Sequence, residues 1–362
     1  MKKLLLEDFD NLKKMSVKEY TLFQKWYEIN NKEWTSNELQ RIWEVKNSIW
    51  FPKDPNDYKK IEPDIINVND KNTMLTWNIL RIFISTMPWK QNVGRLMRFI
   101  IVDKKTMGYL GVLSLASDFI SLSPRDNFIG WTYDHRINKK MLAYTAMGSS
   151  IVPTQPIGFN YTGGKLMTLM LCTDKIVNLW NEKYKERLIG ITTTSLYGGY
   201  SQYNGLKHWK KCGTSKGKIP LEPSEETYQK IRQWVKETYP KDFERITVNK
   251  NKVLSRPKSR LLSFAYTRLK VKPPENNAPR GVYFCELYDN SREFLSMKTK
   301  DFGNVKFNNS VDTLFSLWIE KYAKKRISNI MSSKRYNTNS LFYDNIIDKS
   351  WEETKRMYIN ES

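Results

Sequence analysis

The stretch that most constrains this chain lies between residues 150 and 196. An apolar run, Ser150-Ile151-Val152-Pro153, leads into Pro156-Ile157-Gly158-Phe159-Asn160-Tyr161-Thr162-Gly163-Gly164-Lys165. A helical pattern then runs over residues 165–184, and a second strand run follows over residues 188–196. A chain that leaves a strand, turns on paired glycines and enters a helix places unpartnered backbone N–H groups at the positive end of the helix dipole. Glycine lets that backbone approach a phosphate closely. Gly158, Gly163 and Gly164 are therefore expected to cradle an anion. Lys165 supports this, because a lysine in the first helical turn opposes the dipole unless an anion sits there.

The flanking chain divides into three regions. Residues 1–93 read as helical. Val17, Tyr20, Phe23 and Tyr27 recur at helical spacing, as do Leu39, Ile42, Trp43 and Ile49, and Thr35 with Glu38 supplies capping chemistry ahead of the second set. A third helix is expected over residues 74–84. Residues 94–219 form an α+β core in which two strand runs, 96–102 and 109–115, are joined by a hairpin-like turn at Asp103-Lys104-Lys105-Thr106. Residues 201–213 read as a short helix stopped at Gly213. Residues 220–362 form a basic region with a helix opened by Ser224, a strand over 281–288 and a helix over 311–330 whose second half carries Lys321, Lys324, Lys325 and Arg326.

Charge points to the partner. The formal net charge is +22, an excess that favours polyanions, nucleic acid first. Residues 245–272 carry nine Lys or Arg and no acid, with Phe264 and Tyr266 interleaved. Cations neutralise phosphates and aromatics stack on bases, so Arg256, Lys258, Arg260 and Arg268 are expected to contact nucleic acid, DNA in the first instance. Lys207, Lys210, Lys211, Lys216 and Lys218 extend that basic character.

Other classes are disfavoured. Three cysteines at unrelated spacings and two histidines offer no metal motif, and a Ser-His-Asp triad lacks candidates. Few cysteines fit a reducing compartment. Glu7 and Asp8 interrupt the apolar start, so no signal peptide is expected, and no apolar run approaches the roughly 20 residues of a membrane span. A cytoplasmic protein without membrane contact is expected.

Candidate catalytic groups cluster in the core. Asp126 and Asp134 flank the Gly130-Trp131 pair, each beside an arginine, Arg125 or Arg136, and either carboxylate could serve as a base. Ser195 and Tyr197 sit at the end of the second strand run, where function concentrates in open α/β sheets. Tyr203 and Asn204 follow.

Five segments, in order, carry a resemblance. They are Gly111-Val112-Leu113-Ser114-Leu115, Ser123-Pro124-Arg125-Asp126 through Gly130-Trp131, the turn at 153–166, Ile189-Gly190-Ile191-Thr192-Thr193-Thr194-Ser195, and His208-Trp209-Lys210-Lys211-Cys212-Gly213. Over residues 94–219 the chain resembles the domain of the Druantia anti-phage protein A and its phage-encoded relatives. The resemblance implies a setting of phage–host conflict and nucleic acid. Gly163-Gly164 replaces a serine-containing turn expected in the defence proteins, which points to a phage-encoded relative.

The order of strand, glycine turn, helix and strand is also similar to the acyl-CoA-dependent N-acetyltransferase fold and to the phage Mom DNA-modifying enzymes. That likeness implies an α+β fold with a mixed acetyltransferase-like sheet. Strands over 151–158 and 188–196 would splay around the pantetheine arm of acyl-CoA. Gly158, Gly163, Gly164 and Lys165 would hold its pyrophosphate, with Asn204 and Tyr203 on the far wall. Asp126 or Asp134 would act as general base on an amine of a flipped-out base, and Ser195 or Tyr197 would protonate the leaving thiolate. The alternative is a non-catalytic nucleic-acid-binding component of a defence system or virion, which needs the basic surface and no cofactor.

Overall fold

A computed structural model describes residues 1–87, 92, 94–195, 201–247, 257–277, 279–337 and 343–359. Nine strands are present among them: β1 Pro63–Asn67, β2 Leu96–Asp103, β3 Tyr109–Ser117, β4 Thr145–Pro153, β5 Gly190–Thr194, β6 Trp209–Ser215, β7 Lys218–Pro220, β8 Glu275–Asn277 and β9 Arg280–Glu286. Seven make one mixed sheet in the order β1-β2-β3-β4-β5-β9-β6. The pairs are antiparallel except β4 with β5, which is parallel.

The hairpin between β2 and β3 forms as expected. Asp103 is buried at the turn, where its carboxylate accepts from the Thr106 hydroxyl at 2.7 Å and from the Glu62 N–H at 2.8 Å. Side chains alternate across the sheet with a period of two. Phe99 and Ile101 of β2 enter one core with Leu113 and Leu115 of β3, while Ile100, Val102 and Val112 enter the other. Burial on both faces explains why these strands read as continuous apolar runs.

Helices α1 (Lys2–Lys13), α2 (Val17–Asn30), α3 (Ser36–Asn47) and α4 (Lys71–Ile84) precede β2. The capping box at Thr35 and Glu38 opens α3. Helix α4 covers one face, and the indole of its Trp77 donates to the Leu113 carbonyl at 3.1 Å. On the other face lie α5 (Ser123–Ile129), α7 (Gln155–Tyr161), α8 (Gly163–Met170) and α9 (Asp174–Tyr184), whose buried apolar residues enter the largest core, while the short α6 (Tyr133–Arg136) buries only Arg136.

The chain leaves the sheet through β7 and returns through β8, which pair with each other. Between them α10 (Glu225–Thr238), α11 (Pro240–Thr247) and α12 (Pro257–Leu269) build a third core together with α1, whose Leu5, Phe9 and Leu12 sit on one helical stripe. The chain then adds β9 between β5 and β6, followed by α13 (Ser291–Leu295), α14 (Val311–Trp318), a π turn (Ile319–Ala323), α15 (Lys324–Ser332) and α16 (Trp351–Ile359). The sheet thus draws strands from all three regions distinguished in the sequence: β1 from the first and β9 from the third.

Two local readings change. The helical pattern over 165–184 is two helices, broken at Leu171–Thr173, where Thr173 becomes the N-cap of α9. Residues 201–213 are not a helix. They form a turn followed by β6, because β9 pairs with Trp209 through Ser215 and imposes strand geometry with a register shift between Lys211 and Gly213. Among the described residues no helix is long and apolar enough to cross a membrane.

One buried charge makes the packing of α2 on α4 pH-sensitive. The Lys25 ammonium is fully buried, 2.5 Å from Glu28 and 2.7 Å from the Ile82 carbonyl. Burial lowers its pKa from 10.5 to about 8, against the opposing pull of Glu28. Between those values the unfolded chain holds more protons than the folded one, so this group's contribution to stability rises with pH across that window. The unfolding free energy of the native chain minus that of Lys25→Met is expected to increase by roughly 2 kcal/mol between pH 7.5 and 9.5. Parallel pH profiles in urea titrations would contradict this.

Candidate functional site

The sheet opens at its centre. Strands β4 and β5 pair only at Thr145 with Gly190, Ala146 with Ile191 and Met147 with Thr192. Beyond that point β4 follows β3 and β5 follows β9. The divergence has a local cause in β4: Ser114 of β3 opposes Ser150, and Leu115 opposes Gly148, so Ser149 is an extra residue. Such a bulge bends the strand and increases its twist. Ser149 is held by the Ser114 hydroxyl at 2.7 Å and by the Asn92 amide at 2.9 Å.

The gap is filled by the chain itself. Parted strands leave backbone carbonyls that still require donors. The Thr193 hydroxyl donates to the Gly148 carbonyl at 3.0 Å, and the Gln202 side-chain amide donates to the Ile151 carbonyl at 3.1 Å. Tyr203 is buried beside them, its ring 5.0 Å from that of Tyr283 and 5.8 Å from that of Trp209. The turn that carries these residues is fastened from several sides. Lys165 Nζ donates to the Gln202 carbonyl at 3.2 Å and to that of Asn204, and lies 5.1 Å over the Tyr322 ring. Tyr283 donates to Asn204 Oδ1 at 2.7 Å, and Tyr322 donates to the Gly205 carbonyl at 2.9 Å. Burial lowers the pKa of Lys165.

The glycines expected to cradle a phosphate pack against protein. Residues 155–161 are helical rather than a turn, and Gly158 lies inside α7, where a Cβ would come 3.1 Å from Pro153. The reversal falls at Thr162, with φ +57°. A Cβ on Gly163 would lie 2.8 Å from the Ile157 carbonyl carbon and 2.9 Å from the Gly158 nitrogen, so its absence lets α8 meet α7. A Cβ on Gly164 would strike Gln202 Oε1.

Asp126 sits in a closed ionic cluster. Its carboxylate is 2.6 Å from Arg125 Nη2 and 3.1 Å from Arg136 Nη1, and accepts from the Leu122 N–H at 3.0 Å. Asp118 completes the cluster, 2.7 Å from Arg125 Nη1 and accepting from the Thr192 hydroxyl at 2.8 Å. Two aspartates and two arginines balance one another between α5 and β5, with the Arg125 guanidinium 5.0 Å over Trp131. Asp134 is exposed on α6 and accepts from Asn138 at 2.8 Å. Ser195 is buried, and its hydroxyl accepts from the Gly281 N–H at 2.9 Å, fastening the end of β5 to β9. Tyr197 lies outside the described residues. The structure therefore brings Lys165, Gln202, Asn204 and Tyr283 together at the gap and engages Asp126 elsewhere. The sequence reading missed Asp118, whose only signal is a lone acid just after an apolar strand, and the role of Gln202, which has no local signal.

The cations of α12 have neighbours that sequence distance concealed. Lys258 is 2.8 Å from Glu225 of α10 and 4.7 Å over Tyr228, while Arg268 is 3.9 Å from Asp242 of α11 and lies over Tyr239 and Phe264. Phe264 and Tyr266 pack against the third core. Arg260 is exposed, and Arg256 lies outside the described residues. Lys207, Lys210 and Lys211 are exposed, with no carboxylate partner among the described residues.

These features define an α+β protein whose mixed sheet parts at a single parallel strand pair and carries an inserted helical unit. The model of the family Druantia protein DruA matches residues 11–297, from α1 through α13, and the chain belongs to that family. A curated relative, Druantia protein DruA of Escherichia coli (strain UMEA 4076-1), is 27% identical over 145 residues, which span 37% of this chain and 33% of the relative. The match thus covers about a third of that protein's length. No solved structure matches.

Stability separates packing roles from ligand roles here. Asp126→Ala is expected to cost roughly 3–5 kcal/mol, because it strands buried arginines. Gly163→Ala is expected to cost roughly 1–3 kcal/mol through overpacking between α7 and α8. Asp134→Ala is expected to stay within about 0.5 kcal/mol. Urea unfolding of the three variants measures this, and an Asp126→Ala protein as stable as the native chain would contradict the ionic-cluster assignment.

Proposed function

We propose that this chain is a nucleic-acid-binding component of a phage–host conflict system, on the prokaryotic or the phage side, built on an acetyltransferase-like sheet whose cofactor gap is held shut by its own turn. Membership of the Druantia protein DruA family supports the setting. The acetyltransferase likeness is supported by the one parallel strand pair and its parting after three residue pairs. The observation that carries the non-catalytic reading is Gln202. Its amide occupies the Ile151 carbonyl, and its side chain fills the space over Gly164. The residues at the gap do not fit acyl-CoA as they stand. The net charge of +22 and the exposed Lys207, Lys210 and Lys211, without a carboxylate partner among the described residues, support a polyanionic partner.

A second reading has its own support. The parted pair is the feature around which an acyltransferase acting on nucleic-acid bases would be organised, and such an enzyme would require the turn at 201–206 to leave the gap. Of the two candidate bases, the exposed Asp134 is then favoured over Asp126, which is already paired. Ser195 would first have to release Gly281.

Calorimetry separates the two readings. Titration with acetyl-CoA is expected to give no saturable heat, while oligonucleotides bind with an affinity that falls steeply with salt. Saturable heat with acetyl-CoA, together with modified nucleosides in DNA from cells expressing the chain, would overturn the non-catalytic reading in favour of the enzyme.

A further inference from the structure

The cations best placed to meet a polyanion are not on α12. Strand β6 is the outer strand of the sheet; the turn that leads into it carries Lys207 and the strand itself carries Lys210, both exposed. The π turn is fastened onto the same place. Tyr322 donates to the Gly205 carbonyl, and Phe307 stacks on the His208 imidazole with ring centres 3.9 Å apart and planes 19° apart. The Tyr322 contact brings its neighbour Lys321, also exposed, within electrostatic reach of the imidazole that Lys207 and Lys210 flank in sequence. Burial and then Lys207, Lys321 and Lys210 push the His208 pKa from 6.5 down to about 4, so the ring is neutral at physiological pH. The charges that act on that ring, Lys207, Lys321 and Lys210, are all positive. The fold therefore gathers three ammonium groups from two separate parts of the chain and leaves them without an ion-pair partner among the described residues. Like charges held together in this way repel, and a polyanion relieves the repulsion.

We infer that Lys207, Lys210 and Lys321 form a phosphodiester-binding seat at the outer edge of the sheet, over the His208–Phe307 stack. This rests on the nucleic-acid reading above and gives it a location. Lys207 directly follows the turn that closes the gap and Lys210 lies at the start of β6, so a backbone seated there would lie beside the turn at 201–206.

The test uses the full chain with a fluorescent oligonucleotide, as duplex and as single strand, across a salt series. The triple variant Lys207→Glu, Lys210→Glu, Lys321→Glu is compared with a charge-matched control on the helical insertion, Lys236→Glu, Lys241→Glu, Arg260→Glu, in which all three positions are exposed. The triple variant is expected to lose on the order of 10–100-fold in affinity, and the slope of log affinity against log salt is expected to shrink by about 2–3. The control is expected to lose much less. The chain has only two histidines, so ring proton resonances add a local readout: His208 shifts on binding and His135 does not. Native binding with an unchanged triple variant, or with equal losses in the control, overturns the seat while leaving the nucleic-acid reading intact. Failure of the native chain to bind either oligonucleotide at low salt overturns both. Binding to vesicles of anionic phospholipid without binding to oligonucleotides replaces the partner with a lipid surface and also overturns the seat.

Discussion

The three residue pairs that join β4 to β5 are the constraint from which the rest of the centre follows. Once the bulge at Ser149 turns β4 away, the carbonyls of Gly148 and Ile151 face a gap rather than a neighbouring strand. A buried acceptor without a donor costs about 1–3 kcal/mol, so the gap has to be answered from somewhere. Thr193 answers the first carbonyl from within β5, and Gln202 answers the second from the following turn. Lys165, Tyr283 and Tyr322 then hold that turn in place. A feature that in an acyltransferase would receive a cofactor is satisfied here by protein groups, and this supports the proposed binding role.

Charge is distributed by the same logic of pairing. In the interior, Arg125 and Arg136 balance Asp118 and Asp126, Lys25 meets Glu28, and Glu286 receives Arg292 at 2.6 Å as well as Lys306. Isolated charges are too costly to bury, so buried ones come paired. On the helical insertion, Glu225 and Asp242 moderate Lys258, Arg245 and Arg268. Lys207 on the turn into β6, Lys210 on β6 and Lys321 on the π turn are exposed and have no such partner among the described residues. A net charge read from composition thus becomes a localised field only once the pairing is known.

Much of the frame was legible in the chain. The hairpin of β2 and β3 shows in its apolar runs and in the short polar turn opened by Asp103. Helix α3 shows in its Thr35 and Glu38 cap, and the order of five short segments pointed to the Druantia family. The site was less legible, for physical reasons that differ from residue to residue. Gly163 and Gly164 look like a ligand cradle because close backbone approach leaves the same mark whether the approaching group is a phosphate or another helix. The left-handed turn that ends α7 falls on Thr162, a residue that gives no warning of it. Residues 201–213 carry helix-stop chemistry, yet β9 pairs with their second half from some 70 residues further along. The acid-free window around α12 is real in sequence, but its acids come from α10 and α11, which adjoin it only in space.

The proposed binding role requires the turn at 201–206 to stay in the gap as a permanent part of the core. Hydrogen exchange measures this directly. The amides of Tyr203, Asn204 and Leu206, each bonded within the turn, are expected to exchange slowly and at the same rate with and without saturating acetyl-CoA. Rapid exchange of these amides in the free protein, or a change in their rates when acetyl-CoA is added, would show that the turn vacates the gap and would contradict the account.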